Sequence, residues 1–124
     1  MTALGNNAHL FARPGRREAL RHLFDDVLAC GTVTEVKHPA MPEPMLVVRF
    51  SGGGSLSIEF VDDAQDSEEP RLGTWLELRS DDPAGSLRRV LAAGFREVRH
   101  PGHPHYFMAP GGQVFTIVPI GERP

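Results

Sequence analysis

The chain has 124 residues, 40% hydrophobic and 23% charged, a composition that is ordinary for a globular protein. This length predicts one domain, and the net charge of -3 gives no general attraction for nucleic acid or an anionic membrane, so we expect neither as a partner. Residues 1–7 do not resemble a signal peptide, and no apolar run approaches the ~20 residues of a membrane span. The sequence therefore predicts a cytoplasmic protein.

The first half of the chain predicts the order β-α-β-β-β. After a break at Pro14 and Gly15, apolar residues recur at helical spacing, and Gly31 is placed to close the helix. These apolar residues are Leu20, Leu23, Phe24, Val27 and Leu28. The predicted strands are residues 8–13, 32–38, 45–50 and 55–61, the last two joined by a glycine turn. An acidic segment at about residues 62–72 is predicted to be a linker.

The second half predicts the same order. Alternation over residues 75–79 predicts a half-buried strand, and a helix should begin at Pro83 and end near Ala93, where Gly94 closes it. Three further strands are predicted at residues 95–98, 105–108 and 113–119. The chain is thus predicted to contain two similar modules, at about residues 7–62 and 73–120. The predicted alignment of the modules matches His9 with Trp75 and Glu59 with Thr116.

Three sequence segments accompany this duplicated order. Gly-Thr-Trp-Leu-Glu-Leu leads into the proline-capped helix, Leu-Ala-Ala-Gly-Phe ends it, and Tyr-Phe-Met-Ala-Pro-Gly-Gly-Gln-Val-Phe lies near the C-terminus. Over residues 7–120 the chain resembles the vicinal oxygen chelate superfamily, which contains glyoxalase I, bleomycin-resistance proteins, extradiol dioxygenases and fosfomycin-resistance enzymes. The resemblance implies an α+β fold in which two β-α-β-β-β modules form a curved mixed-sheet cup with the helices outside. It also implies a homodimer.

Metal-dependent members of that superfamily bind one divalent ion through four inward side chains from the first and last strands of each module. The resemblance places His9, Glu59, Trp75 and Thr116 at these positions, with Ala8 as an alternative to His9. Trp75 has no lone pair for a metal and Thr116 is a poor donor, so His9 and Glu59 are the only good ligands. Because catalytic metal sites normally use three or more protein ligands, we expect no strongly bound cofactor, although weak divalent-metal binding is left open.

The candidate ligand-binding residues are His9, Phe11, Glu59, Trp75, Glu77, His105, Phe107 and Thr116. Tyr106 is a further source of flat apolar contact. Glu59 is either a cavity carboxylate or a solvent-exposed edge residue, and Glu77 has the same two interpretations. In a cavity Glu59 could act as a general base or pair with a cationic ligand, so Glu59 and His9 are the catalytic candidates.

The other histidines and the single cysteine are weaker candidates. His100, His103 and His105 cluster in sequence, but neighbouring prolines favour a loop, and only His105 adjoins a predicted strand. His22 and His38 are predicted to lie on the surface. Cys30 has no partner for an internal disulfide and is predicted to be buried and unreactive.

The sequence therefore predicts a small-molecule-binding protein of the glyoxalase and bleomycin-resistance type without a complete metal site. The competing hypothesis is a metal-dependent lyase, isomerase or dioxygenase of the same fold that uses His9, Glu59 and His105. A third hypothesis is a protein-interaction module. The residues do not identify the ligand.

Overall fold

The chain forms two compact units, the first ending at Gln65 and the second beginning at Asp66. The computed structural model describes residues 1–102 and 105–121. Each unit contains a four-stranded mixed sheet, with strand orders β1-β4-β3-β2 and β5-β8-β7-β6. The same order occurs twice, so the predicted α+β fold class with duplicated β-α-β-β-β modules is confirmed. We call the two units module one and module two.

Module one contains a parallel strand pair at one edge of its sheet and an antiparallel hairpin beside it. Its strands are β1 (Asn7–Ala12), β2 (Gly31–Val36), β3 (Met45–Phe50) and β4 (Ser55–Phe60). Between β1 and β2 lies a helical segment that comprises a 3-10 turn at Pro14–Arg16, helix α1 at Arg17–Arg21 and a π-helical turn at His22–Val27. The strand predictions are confirmed within about two residues at each end.

The end of this helical segment differs from the prediction that Gly31 closes it. The amide of Leu28 donates to the carbonyl of Leu23 at 2.9 Å, an i to i−5 bond that widens the last turn. The residue with left-handed backbone is Ala29, at φ 47°, while Gly31 is the first residue of β2 and lies opposite Phe50. The prediction was wrong because the left-handed position after the helical segment falls at Ala29, two residues before Gly31.

Alternation along the strands of module one divides its sheet into two faces. The face that packs against the helical segment is apolar, and Phe24 contacts Phe50 edge to face at 6.4 Å between ring centroids. The other large side chains that are fully buried between this face and the helical segment are Leu23, Leu46, Val48, Ile58 and Phe60. The opposite face, which we call the open face of module one, carries His9, Phe11, Ser57 and Glu59.

Module two repeats this plan with one regular α-helix. Its elements are β5 (Trp75–Ser80), α2 (Pro83–Ala92), β6 (Arg96–Glu97), β7 (Tyr106–Met108) and β8 (Val114–Pro119), with a 3-10 turn at Pro70–Leu72 before β5. The Asp82 carboxylate accepts a hydrogen bond from the amide of Gly85 at 3.1 Å, which caps the start of α2. Gly94, at φ 95°, closes the helix as predicted. None of the helices in the described ranges is long and apolar enough to cross a membrane.

The sheet of module two also has two faces. Phe107, Phe115 and Ile117 are buried on the face nearest α2, whose own Leu87 and Val90 are buried as well. The opposite face, the open face of module two, carries Trp75, Glu77, Tyr106, Met108, Val114 and Thr116. Two predicted strands are shorter than expected, because residues 95–98 pair only over Arg96–Glu97 and β7 begins at Tyr106.

Candidate functional site

The open face of module one brings together the two residues that the sequence ranked highest. His9 Nε2 lies 3.0 Å from Glu59 Oε1, a hydrogen-bond distance between side chains 50 residues apart in sequence. The side chain of His9 is 39% exposed and that of Glu59 is 23% exposed. The pair is therefore partly sheltered, yet open enough for a ligand to reach.

Strand alternation also decides between His9 and Ala8 for the first position of the predicted site. Ala8 lies opposite Leu56, a buried residue of the helix-facing side, whereas His9 lies opposite Ser57 on the open face. Because successive side chains of a strand point to opposite faces, Ala8 cannot share the face of Glu59. His9 is the residue of β1 that meets the glutamate.

Phe11 extends this polar pair with an aromatic surface. It lies opposite Glu59 in the parallel pairing of β1 and β4, and its ring centroid is 5.1 Å from that of His9. Phe11 is 58% exposed, one of the few large apolar side chains so open to solvent in the part of the chain that the structure describes. An exposed aromatic ring next to a histidine–carboxylate pair is a surface that can take both flat and polar groups of a ligand.

The open face of module two is mainly aromatic. The ring of Trp75 lies 5.1 Å from that of Tyr106 and 5.4 Å from that of His100, between centroids. The indole N–H of Trp75 donates to the carbonyl of Pro70 at 2.6 Å, which sets the orientation of the ring. Trp75 and Tyr106 pack against the buried Val98, Met108 and Val114. His100 was not predicted here, although it follows Val98 at the two-residue spacing of one strand face.

The other predicted polar residues of module two lie beside this aromatic group. Glu77 and Thr116 face one another across β5 and β8, and Thr116 also lies opposite Tyr106. The carboxylate of Glu77 is 3.7 Å from the guanidinium of Arg79, and both side chains are about half exposed. This ion pair is mostly solvated, so it adds little to stability and leaves Glu77 accessible.

The strand registers relate the two modules in a way that the sequence alignment did not. The opposed pairs are His9 with Ser57 and Phe11 with Glu59 in module one, and Glu77 with Thr116 and Arg79 with Val118 in module two. The hairpin turns have equal length, since Arg49 pairs with Ser55 and Met108 with Val114. By register, therefore, His9 corresponds to Glu77 and Glu59 corresponds to Val118.

The predicted matches of His9 with Trp75 and of Glu59 with Thr116 were therefore wrong by two residues in each strand. A shift of two preserves the face of every side chain, because the strand repeat is also two. The alternation of apolar and polar residues thus predicted the face correctly but did not determine the register. Since Val118 has no polar side-chain atom, it cannot form with Glu77 an equivalent of the histidine–glutamate pair.

Two candidate residues lie on the wrong face for a ligand. Phe107 is fully buried and stacks on Phe115 with 5.6 Å between ring centroids, so its side chain belongs to the core. His105 precedes β7 at the spacing that places it with Phe107 rather than with Tyr106, and its Nδ1 is buried without a hydrogen-bond partner among the described residues. The structure does not support ligand contact for Phe107, because its side chain lies on the face of β7 that packs in the core, and His105 is placed on that same face by strand alternation. His103 lies outside the described residues.

The histidines predicted to be on the surface are exposed. His22 Nδ1 lies 2.9 Å from a carboxylate oxygen of Asp26, one helical turn away, and His38 accepts a hydrogen bond from the amide of Ala40 at 3.1 Å. Both contacts are local in sequence. Neither residue lies on an open face of a sheet.

Cys30 is half-buried and its thiol donates to the carbonyl of Phe24 at 3.4 Å. Burial raises the pKa of the Cys30 thiol from 9.0 to about 11, with a smaller contribution from the nearby charge of Asp25. Because the thiolate is the reactive form, almost all of this cysteine is unreactive at neutral pH.

We expect iodoacetamide to alkylate Cys30 in the native protein on the order of 100-fold more slowly at pH 8 than in the urea-unfolded chain. The native rate should rise with pH up to about 11. The raised pKa favours the folded state below the ionisation range of the unfolded thiol, so this contribution to stability should be lost between about pH 9 and 11. Equal native and unfolded rates at pH 8, followed by mass spectrometry, would contradict this expectation.

Comparison with known proteins shows the fold of the chain. No family model and no curated protein matches the chain. Among solved structures, it is similar to a glyoxalase/bleomycin resistance protein from Streptomyces sp. CB03234, at 21% identity and TM-score 0.58, with 90% of this chain and 97% of that chain covered. A glyoxylase/bleomycin resistance protein/dioxygenase domain from Frankia sp. EAN1pec gives TM-score 0.70 at 12% identity, covering 94% of this chain and 97% of that one.

A third similar structure is a mutant of the fosfomycin resistance protein FosX from Listeria monocytogenes, complexed with Mn(II) and 1S,2S-dihydroxypropylphosphonic acid. It gives TM-score 0.66 at 12% identity and covers 94% of this chain and 92% of that one. With the duplicated strand order, these likenesses show that the chain has the fold of the glyoxalase/bleomycin resistance/dioxygenase superfamily. At these identities the likeness shows the fold and no particular activity.

The Mn(II) in FosX raises the question of whether the donors in this chain suit a divalent cation. Within residues 1–102 and 105–121, no group of three or more His, Cys, Asp or Glu side chains could hold a metal ion. His9 and Glu59 supply one nitrogen and one carboxylate, which is fewer protein donors than a catalytic metal site normally uses. These residues do not fit a tightly bound divalent cation.

Proposed function

We propose that the protein binds a small organic molecule on the open face of module one. The observation that carries the proposal is the hydrogen bond between His9 and Glu59 next to the exposed ring of Phe11. The fold supports it, since the similar FosX structure holds a small organic acid. Glu77, Trp75 and Thr116 are proposed as contacts of a ligand on the open face of module two, considered by itself.

The polar part of this surface suits a ligand that can donate hydrogen bonds. Glu59 is an acceptor when ionised, and one of its two oxygens contacts His9 while the other is free to accept from a ligand. Ser57, opposite His9 and half-buried, adds a hydroxyl that can donate or accept. We therefore expect hydroxyl or amino groups on the ligand.

The apolar part of the surface suits a flat ligand. A ring that stacks on Phe11 removes exposed apolar area from water, and aromatic pairs gain about 0.5–1.5 kcal/mol beyond that burial. The histidine ring beside Phe11 extends the same surface. A planar compound with at least one donor group would use both parts.

Saturation-transfer NMR with a panel of planar hydroxylated and aminated compounds tests this proposal. His9→Ala and Glu59→Ala should each weaken the best binder about 10-fold or more, because a hydrogen bond to a charged group contributes about 1.5–3 kcal/mol. Phe11→Ala should also weaken it, because the stacking contribution of about 0.5–1.5 kcal/mol and the buried apolar area are lost. His22→Ala is the matched control, since it removes another histidine that pairs with a carboxylate, on the helix. Affinity that survives all three substitutions contradicts the proposal, and binding of only a protein partner supports an interaction module instead.

A metal-dependent lyase, isomerase or dioxygenase is the competing function. With two good donors we expect weak metal binding at most. Thermal unfolding in the presence of Mn²⁺, Zn²⁺ or Ni²⁺ distinguishes the two functions, because a tight site stabilises the folded state by mass action. A stabilisation that Glu59→Ala abolishes would favour the metal-dependent enzyme.

Assembly as a homodimer is also part of the proposal, by the resemblance of the chain to its superfamily. Neither nucleic acid nor a membrane is proposed as a partner, because the net charge of -3 gives no general attraction to phosphate groups. Sedimentation of the purified protein over a range of concentrations gives the oligomeric state directly. A monomer at every concentration would remove the dimer from the proposal.

A further inference from the structure

We propose that Glu59 holds His9 in the tautomer with its hydrogen on Nε2, so that Nδ1 accepts a proton or a hydrogen bond from a weakly acidic O–H or N–H group of a flat aromatic ligand. This inference rests on the proposed function and specifies its ligand. His9 is then the residue that accepts the proton or hydrogen bond of the ligand, and Glu59 positions His9 through the hydrogen bond between them.

The hydrogen bond between the two side chains fixes the tautomer of His9. Nε2 of His9 and Oε1 of Glu59 are 3.0 Å apart, and an ionised carboxylate can only accept. The hydrogen must therefore lie on the histidine nitrogen that faces Glu59. In a neutral imidazole only one nitrogen carries hydrogen, so Nδ1 has its lone pair available.

The lone pair on Nδ1 of His9 accepts no hydrogen bond from the described residues. Glu59 is the only hydrogen-bond partner of the His9 side chain within residues 1–102 and 105–121. The side chain of His9 is 39% exposed, so a ligand can approach it. His22 provides an internal contrast, because it meets Asp26 through Nδ1 and an ionised Asp26 would favour the opposite tautomer.

The exposed ring of Phe11 beside His9 indicates the class of ligand. Phe11 is more than half exposed and its ring centroid is 5.1 Å from that of His9. A ring that stacks on Phe11 at the usual 4.5–7 Å would carry its substituents alongside the imidazole. A ring-borne hydroxyl or N–H group is therefore the chemical class that uses both residues.

Proton transfer at this site involves only the ligand and His9 and needs no other reactant. The O–H or N–H bond of the ligand breaks and the proton forms a bond with Nδ1, while the electron pair stays on the ligand as an anion. His9 becomes an imidazolium whose Nε2–H still donates to the Glu59 carboxylate. The same atoms return the proton when the ligand leaves.

Nitrogen-15 NMR of labelled protein, at a pH where the histidines are neutral, tests the tautomer without any ligand. We expect the wild-type His9 to show a protonated Nε2 and an unprotonated Nδ1, and Glu59→Ala to give a mixture of tautomers. Asp26→Asn is the matched control, because it changes the other histidine–carboxylate pair and should leave the His9 signals unchanged. A wild-type His9 with hydrogen on Nδ1, or with the same mixture as Glu59→Ala, overturns the inference.

Absorbance of 4-nitrophenol tests the acceptor role, because its phenolate form is coloured. At a pH where the free probe is half ionised, binding to the wild type should raise the ratio of phenolate to phenol at least threefold. We expect His9→Gln to abolish this rise and Glu59→Ala to reduce it, with His22→Gln like the wild type.

The outcomes separate this inference from the proposed function. If the probe binds and stays neutral, the acceptor role is overturned while small-molecule binding stands. If neither 4-nitrophenol nor any panel compound with a weakly acidic ring hydroxyl or N–H group binds at millimolar concentration, while other panel compounds do, the ligand class is overturned. If nothing in the panel binds, the proposed function fails, and the tautomer measurement still decides the role of Glu59.

Discussion

Replacing Gly31 with alanine is expected to lower the free energy of unfolding by about 3 kcal/mol or more, because a Cβ at this position would overlap the carbonyl oxygen of Arg49. Gly31 begins β2 and lies opposite Phe50, so the overlap falls between two paired strands. Its φ of 155° is also a backbone conformation that side chains rarely adopt. The clash involves backbone atoms on both sides, so it cannot be relieved by rotating a side chain.

Urea unfolding followed by circular dichroism measures this effect, since the free energy of unfolding falls linearly with denaturant. Gly15→Ala is the matched control, because no heavy atom lies within 4 Å of its added Cβ. We expect the control to change stability by no more than about 0.5 kcal/mol. If Gly31→Ala matched the control, the close pairing of β2 with β3 would not exist in solution.

Replacing Phe115 with alanine is expected to cost about 3–5 kcal/mol, the range for removing a fully buried aromatic ring. Phe115 has no exposed surface and stacks on Phe107, which has none either. The lost ring leaves a cavity that β7, β8 and α2 can fill only in part. The same urea titration measures this loss.

A double-mutant cycle makes the result specific to the ring stack. Phe107→Ala and Phe115→Ala should couple by about 0.5–1.5 kcal/mol, because each ring loses its contact with the other. Phe11→Ala is the control of the same chemistry, since Phe11 is 58% exposed and should cost little stability. Additive effects of the two core substitutions would show that Phe107 is not packed on Phe115, and would reopen its prediction as a ligand contact.

These two predictions concern the stability of the fold, through strand pairing in module one and through the buried core of module two. The proposed site lies on the open face of module one, outside both. Phe11 illustrates the separation, because its loss should weaken ligand binding while leaving the fold intact. Glu59 and His9 are likewise on the open face and contact one another rather than the core. Variants of the open face can therefore be interpreted as binding variants.

Local patterns in the sequence were sufficient to predict the elements and their order. Asp82 caps α2 and Gly94 closes it, because these roles depend on a few neighbouring residues and on backbone geometry. The duplicated order then indicated the fold class. Alternation also predicted that Trp75 and Glu77 share one face of their strand, since side-chain direction in a strand follows a repeat of two, but it left the choice between Ala8 and His9 open.

The sequence by itself thus determined the β-α-β-β-β order and the fold class. Only the tertiary structure decided the register between strands, and with it the correspondence of Glu59 to Val118 rather than to Thr116. It also placed Phe107 in the core and brought His9 to Glu59 across 50 residues of sequence. The physical reason is that a repeat of two leaves every even shift of register equivalent, and pairing between distant strands resolves that ambiguity.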